Sequence, residues 1–238
     1  MPVPKLFLFD VDQTLLSTMG GDRKALDMAF QELYRIAGGF DGIGFSGRMD
    51  LVIVGEAFGR WRIDQDHGPE AMVAFKEAYL AHLRTVLDGW DKGRVYPGVR
   101  ALLRALAERV DVDLGLATGN FREAAFIKLK KYGLDHFFDE GGFGGDFEKR
   151  TQVVAEAIAR CQARTGREYA GDDIYVIGDS PSDVTAGQAN GVRSVAVATG
   201  SLSMEELKVY NPTYLFPDLS NTEEVLTRLL GPGPYKEG

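Results

Sequence analysis

The sequence predicts an α/β fold: a parallel-sheet core with helices on both faces, interrupted after its first strand by an inserted all-α segment. Short apolar runs alternate with helical patterns over most of the chain, and this alternation is typical of parallel βαβ units. One long stretch near the start departs from the alternation, because its apolar residues recur at helical spacing. The length of 238 residues and the 45% of apolar residues suffice for a large core and a smaller helical partner.

The predicted strands are apolar runs of four to six residues, a length that is typical of buried strands in parallel sheets. The first four of them lead directly into small or polar residues. The predicted strands cover 5–9, 112–117, 174–177, 194–198 and 213–216. The predicted helices of the core cover about 98–109, 121–132, 150–165, 182–190, 203–209 and 221–230.

The inserted segment is predicted to cover residues 17–96. It contains three amphipathic patterns, at about 23–36, 51–61 and 70–86, and the first two are separated by a glycine-rich loop. We therefore predict a catalytic core made of residues 1–16 and 97–238, with residues 17–96 forming a helical cap. The alternative is one continuous mixed domain.

Composition excludes several classes of function. The net charge of −8 argues against a nucleic-acid-binding surface, which needs a basic patch or stripe. No segment has the roughly 20 apolar residues of a membrane span, and the first residues lack the pattern of a signal peptide, so we expect a cytoplasmic protein. The single cysteine, Cys161, excludes an intramolecular disulfide. The oligomeric state is left open.

Two aspartates follow the first predicted strand. An unpaired buried charge is very costly, so Asp10 and Asp12 are expected at the mouth of the sheet, where open α/β sheets bind ligands. Alternate residues of a strand share a face, so both carboxylates can approach one bound group. Their mutual repulsion requires a cation or a shared proton. Asp10 is a candidate nucleophile toward phosphorus, and Asp12 is a candidate proton donor and acceptor.

The second polar cluster is Thr118-Gly119-Asn120, between a predicted strand and a predicted helix. A hydroxyl, an accessible glycine amide and the N–H groups of a helix start suit the oxygens of a phosphate. Phosphoryl transfer also needs a cation to balance the developing charge. Lys149 and Arg150 stand at the start of the next helix, and either can supply it, with a slight preference for Arg150.

The last cluster contains Asp179, at the end of a strand, and Asp183, near the start of the following helix. Mg²⁺ prefers oxygen ligands and is often held by one or two carboxylates together with phosphate and water. Asp10, the backbone carbonyl of Asp12 and Asp179 form such a set, and Asp183 can bind directly or through water. The alternative role of Asp183 is to cap the helix.

The order and placement of these clusters closely resemble the haloacid dehalogenase superfamily of phosphohydrolases, from residue 6 to about residue 199. The matching positions are Asp10, Asp12 and Thr14 for the first motif, Thr118 for the second, Lys149 or Arg150 for the third, and Asp179 with Asp183 for the fourth. The resemblance implies a Rossmann-like core with a helical cap between the first and second motifs. Gln13 departs from the glycine that is common in the first motif.

The resemblance also bears on the reaction. Family members that dehalogenate haloacids or cleave phosphonates lack the second aspartate, so Asp12 favours chemistry on phosphate esters. The segment around Arg48 is similar to one in phosphoglycolate-phosphatase-like members, which makes Arg48 a candidate for binding a substrate carboxylate or phosphate.

The leading interpretation is a Mg²⁺-dependent phosphatase that forms an aspartyl-phosphate and acts on a small phosphorylated metabolite of the phosphoglycolate kind. A phosphomutase of the β-phosphoglucomutase kind would use the same motifs. A third alternative is a non-enzymatic phospho-switch that resembles a receiver domain.

Overall fold

The computed structural model of the chain describes residues 3–68 and 70–231. Residues 1–2 and 232–238, which belong to the predicted core, lie outside the described residues. The described chain forms a parallel sheet covered by helices, together with a separate helical layer. The predicted α/β fold class is therefore confirmed.

The main sheet has six strands in the order β5-β4-β1-β6-β7-β8, and every neighbouring pair is parallel. The first strand thus lies near the centre of the sheet, with the second and third predicted strands on either side. The strands are β1 (Lys5–Phe9), β4 (Val112–Thr118), β5 (Gly141–Phe143), β6 (Ile174–Gly178), β7 (Arg193–Val197) and β8 (Tyr214–Phe216).

Helices cover both faces of this sheet. Phe7 and Phe9 of β1 point to one face and pack with α5 (Val99–Ala107) and α10 (Thr222–Leu230). Leu6 and Leu8 point to the opposite face and pack with α7 (Arg150–Thr165) and α8 (Pro181–Ala189). Because both faces are buried, β1 is apolar at every position after Lys5 rather than alternating. The remaining core helices are α6 (Arg122–Lys131) and α9 (Met204–Lys208).

The edge strand β5 is not among the strands predicted from the sequence. Its residues are Gly-Gly-Phe, and glycine has a low β-propensity, so no strand pattern is visible. The glycines allow close approach of neighbouring backbone, because a Cβ on Gly142 would overlap the carbonyl oxygen of Val153 in α7.

The helical layer comprises α1 (Gly21–Tyr34), α2 (Asp50–Trp61), α3 (Ile63–His67) and α4 (Glu70–Asp88). These helices enclose a core rich in aromatic side chains, which also contacts the start of α6. This core is built around Phe30, Phe40, Phe58, Phe75 and Tyr79. The boundaries proposed for a cap at 17 and 96 remain a prediction.

The predicted segment 17–96 is not entirely helical. Strand β2 (Leu16–Ser17) pairs antiparallel with β3 (Arg94–Val95), so the chain enters and leaves the helical layer side by side. Two-residue strands are too short to produce a periodic pattern in the sequence. Within the described ranges, the structure contains no helix whose length and apolar character would let it cross a membrane.

Candidate active site

The polar side chains predicted from the sequence meet at the carboxyl ends of β4, β1 and β6. Asp10 follows β1, Thr118 ends β4 and Asp179 follows β6. These three strands are neighbours in the sheet, so their ends converge on one place. A cavity of about 580 Å³ lies between this edge and the helical layer, and Asp10, Asp12 and Asp179 line it.

Arg150 and Asp10 form one half of the site. The buried guanidinium of Arg150 lies 2.9 Å from Asp10 Oδ1 and donates from Nε to Asp183 Oδ1 at 2.9 Å. Burial alone would lower the pKa of Arg150, but Asp10 and Asp183 outweigh it and raise that pKa. Lys149 is the residue before α7, and its side chain is exposed. Of the two cations considered for the third motif, the structure thus brings Arg150 to Asp10.

Three carboxylates form a candidate metal site beside Arg150. Asp10, Asp179 and Asp183 each offer an oxygen that lies within 4.8 Å of the others, and all three residues are buried. Burial, followed by the charges of Asp10 and Asp183, raises the pKa of Asp179 to about 8. Three carboxylates facing one guanidinium leave an excess of buried negative charge. A divalent cation with oxygen ligands fits this donor set.

Asp183 caps α8, which is one of the two roles considered for it, and it also binds Arg150. Its Oδ2 accepts from the Ser180 hydroxyl at 2.7 Å and from the Ser180 amide at 3.2 Å, which completes a capping box at the start of α8. Its Oδ1 accepts from Arg150. The helix cap therefore holds Asp183 rigidly at the edge of the carboxylate cluster.

Asp12 has a different set of partners, and these form the other half of the site. Its Oδ2 accepts from Lys128 Nζ at 2.6 Å and from Asn120 Nδ2 at 2.8 Å. Burial raises the pKa of Asp12, although Lys128 opposes this shift. The Asp12 carboxylate is not part of the metal cluster, which agrees with the expectation that only its backbone carbonyl would face a metal. That metal contact stays a prediction.

Lys128 was missed by the sequence analysis. It lies in a run with Lys130 and Lys131 near the end of α6, and such runs usually face solvent. Its position nevertheless continues the buried face that begins with Phe121 and Ala124, at helical spacing. A lysine on the apolar face of a helix is the signal that could have identified it.

The loop after β4 carries the predicted phosphate-binding residues. The buried Thr118 hydroxyl accepts from Asn120 Nδ2 at 2.9 Å, so Thr118 orients the Asn120 side chain. Gly119 and Asn120 line the cavity. A Cβ on Gly119 would overlap the carbonyl oxygen of Arg48, so only glycine allows the helical layer to approach this loop so closely.

Asp50 fastens the helical layer to the same loop. Its amide donates to the Gly119 carbonyl oxygen at 2.7 Å, and its Oδ2 accepts from the Phe121 amide at 2.8 Å. Burial raises the pKa of Asp50 to about 7, against the lowering effect of Lys128. Asp50 was not among the site residues predicted from the sequence.

Arginines of the helical layer and its connecting strand also line the cavity. Arg48 does so, while donating to the Gly44 carbonyl oxygen at 3.0 Å and to Glu56 at 2.6 Å. Arg94 of β3 lies over the Tyr96 ring, with 5.4 Å between guanidinium carbon and ring centre. No carboxylate in the described part of the chain forms an ion pair with Arg94.

The fold and this arrangement of carboxylates define a class of protein, the hydrolases of the haloacid dehalogenase type. Residues 4–191 match the family model described as haloacid dehalogenase-like hydrolase. The chain belongs to this family. The predicted family and the predicted enzyme class, a phosphatase of this family, are therefore confirmed.

Two curated relatives are similar over nearly the whole chain. The phosphoglycolate phosphatase of Pseudomonas savastanoi pv. phaseolicola is 28% identical over 223 residues, which cover 91% of this chain and 78% of the relative. The pyrophosphatase PpaX of Halalkalibacterium halodurans is 24% identical over 230 residues, covering 93% and 97%. The family is thus shared by relatives whose names denote different phosphate substrates.

The fold is also found in solved structures. The β-phosphoglucomutase of Clostridium difficile superposes with a TM-score of 0.70 at 15% identity, covering 95% of this chain and 97% of the other. An identity this low supports the shared fold alone.

Proposed function

We propose that the protein is a Mg²⁺-dependent phosphatase that hydrolyses small phosphomonoesters through an aspartyl-phosphate on Asp10. The observation that carries this proposal is that two neighbouring carboxylates, Asp10 and Asp12, have different contacts. Asp10 contacts Arg150 and is part of the candidate metal site, whereas Asp12 contacts Lys128 and Asn120. Two aspartates in such different surroundings suit a nucleophile and a separate acid and base.

In the first step, an oxygen of Asp10 attacks phosphorus, and the bond from phosphorus to the ester oxygen breaks. Asp12 gives its proton to that leaving oxygen. In the second step, Asp12 takes a proton from a water molecule as the water attacks the aspartyl-phosphate, which releases inorganic phosphate and restores Asp10. Arg150 holds the Asp10 carboxylate in place for the attack.

Asp10, Asp179 and Asp183 would hold Mg²⁺, together with the backbone carbonyl of Asp12. When bound, the ion supplies positive charge that offsets the charge of the transferring phosphoryl group. The Gly119 amide and the Asn120 side chain lie in the cavity, where they can donate to phosphoryl oxygens. Thr118 supports them through its bond to Asn120.

The substrate class that best suits the cavity is a small phosphate ester with a second anionic group, as in phosphoglycolate. Arg48 and Arg94 line the same cavity as the carboxylates. The guanidinium of Arg94 forms no ion pair with any carboxylate whose side chain the structure describes, so it is available to pair with a second anionic group. The names of several relatives are consistent with such a substrate. We also infer a cytoplasmic location, where small phosphorylated metabolites occur.

The proposal is tested by phosphate release from purified protein with Mg²⁺ over a panel of phosphoglycolate, sugar phosphates, nucleotides, pyrophosphate and p-nitrophenyl phosphate. We expect turnover of monoesters, with the highest kcat/KM for a substrate that carries a carboxylate. Absence of turnover on every monoester would contradict the proposal. Isomerisation of a sugar phosphate that depends on a sugar bisphosphate, without net phosphate release, would instead identify a phosphomutase.

A further inference from the structure

Lys128 is a buried cation that belongs to neither the metal cluster nor the Arg150 contact. Its side chain is only 2% exposed, and its ammonium group contacts Asp12 Oδ2 at 2.6 Å, Asn120 Oδ1 at 2.6 Å and Asp22 Oδ2 at 3.2 Å. An ammonium group has three N–H donors, so these three acceptors use its whole hydrogen-bonding capacity. The nitrogen is therefore fixed in one place.

The contacts of Lys128 determine which oxygen of Asp12 is free. Both described partners of the Asp12 carboxylate, Lys128 and Asn120, bind Oδ2. The Asp12 side chain is nevertheless 32% exposed and lines the cavity. Oδ1 is thus the oxygen left to exchange a proton with a substrate or a water molecule.

Asn120 is itself held in place by this network. Its Oδ1 accepts from Lys128, and its Nδ2 donates to both Thr118 and Asp12. The hydrogen bond from Lys128 therefore fixes the orientation of the amide, so that its NH₂ group faces Asp12. Loss of Lys128 would remove one of the two donors to Asp12 Oδ2 and leave the other, Asn120, oriented by Thr118 alone.

We infer that Lys128 is a positioning residue that holds Asp12 in the orientation required for proton transfer to the leaving oxygen. This inference rests on the proposed phosphatase function. It assigns the two buried cations of the site to different carboxylates, with Arg150 acting on Asp10 and Lys128 acting on Asp12.

If Lys128 positions Asp12, its loss has a chemical consequence that the loss of a purely structural residue lacks. An alkoxide is a poor leaving group, so breaking its bond to phosphorus depends strongly on the proton from Asp12. The p-nitrophenolate ion is stable in water near neutral pH and leaves without a proton. Misplacing Asp12 must therefore impair the hydrolysis of an alkyl phosphate much more than that of p-nitrophenyl phosphate.

The test compares kcat/KM for the best alkyl phosphomonoester with that for p-nitrophenyl phosphate, because kcat/KM reports formation of the aspartyl-phosphate and not its later hydrolysis. We expect Lys128→Met to lower the alkyl value by about 100-fold, which is within the usual contribution of general acid catalysis, and the aryl value by less than about 10-fold. Asp12→Asn should show the same bias. The matched control is Lys130→Met, on an exposed position of the same helix, which should change neither value.

Equal losses on both substrates would overturn the inference, because they would indicate a general effect on the fold or on phosphate binding. Circular dichroism verifies that Lys128→Met is folded. If it is not, Lys128→Arg keeps the charge but cannot place three donors in the same positions, and it must still shift the ratio of alkyl to aryl kcat/KM below that of the wild type. If the wild-type protein hydrolyses no monoester, the proposed function has failed rather than the inference about Lys128.

Discussion

Individual residues of the site differ mainly in what surrounds their charges. Asp10 and Asp12 are two positions apart, yet one contacts a guanidinium and the other an ammonium group. Each carboxylate is thereby held by its own cation, and neither has to share a proton with the other. This separation explains how two neighbouring aspartates, whose pKa values are both raised by burial, can still have different roles.

Asp10→Asn should lower kcat by about 10³-fold or more on every substrate, since an amide cannot replace the carboxylate as nucleophile. Asn keeps the size of the side chain, so the fold should persist. The measurement is phosphate release with Mg²⁺, together with acid quenching to trap a phosphorylated protein. Substantial turnover of Asp10→Asn, with wild-type phosphorylation kinetics, would contradict the assignment of the nucleophile.

Arg150 and Lys149 form a natural pair for a second comparison. Arg150→Met leaves Asp10 and Asp183 buried without their cation, which should lower the free energy of unfolding by about 3 kcal/mol, since breaking a buried ion pair costs roughly that amount. Lys149→Met removes an exposed charge and should change it by less than about 0.5 kcal/mol. Urea unfolding of the two variants measures both values. Similar effects of the two substitutions would contradict the assignment of Arg150 as the buried cation that pairs with Asp10 and Asp183.

At the scale of secondary structure, the start of α2 meets the loop between β4 and α6. Asp50 both donates to and accepts from this loop, at Gly119 and Phe121. The same loop presents Gly119 and Asn120 to the cavity. The helical layer is thus attached directly to the residues proposed to bind the phosphoryl group.

Asp50 should make the stability depend on pH. Its pKa in the folded protein is about 7, above the usual value of 3.8, so the folded state keeps a proton that the unfolded state has lost. Stability should therefore fall as the pH rises from about 4 to 7 and stay low above that range. In Asp50→Asn the side chain still accepts from the Phe121 amide but does not titrate, so the stability of this variant should fall less as the pH rises. Urea unfolding in EDTA between pH 5 and 8 measures the free energy of unfolding of the wild type and of Asp50→Asn. The difference between the two proteins should widen as the pH rises, and a constant difference would contradict the prediction.

Much of this element-level description follows from sequence patterns, and the failures have identifiable causes. Short apolar runs predicted five of the six sheet strands, because strands buried on both faces are continuously apolar. Strand β5 was missed because Gly141 and Gly142 carry no such signal. Lys128 was missed because a lysine run resembles a solvated face. Arg150 and Lys149 could not be separated, since only the exact rotation of the first turn of α7 decides which side chain enters the site.

At the scale of the whole molecule, the sheet order brings together residues from chain segments more than 100 positions apart. Asp10 and Asp179 meet because β1 and β6 are neighbours, although nothing in the local sequence specifies that pairing. Their proximity concentrates buried negative charge at one edge of the sheet. Repulsion between these carboxylates lowers the stability of the folded protein, and a bound cation would offset this repulsion.

Mg²⁺ should accordingly stabilise the folded protein. At a concentration of about 100 times its dissociation constant, a ligand adds about 2.7 kcal/mol, so the Tm should rise by several degrees. Above pH 8, where Asp179 is ionised, Asp179→Asn removes one charge of the cluster, so it should raise the metal-free Tm while abolishing the response to Mg²⁺. Thermal unfolding with EDTA and with Mg²⁺ measures both effects. An unchanged Mg²⁺ response in Asp179→Asn would show that the ion binds elsewhere.

The pairing of β2 with β3 has a consequence for how such proteins diversify. Leu16 lies opposite Val95 and Ser17 opposite Arg94, so the two ends of the helical segment are one strand spacing apart, about 5 Å. We expect that a different segment joined at these two ends would leave the register of the six-stranded sheet unchanged. Such an exchange would change cavity-lining residues such as Arg48, but it would have to keep the contacts of Asp22 with Lys128 and of Asp50 with the loop after β4.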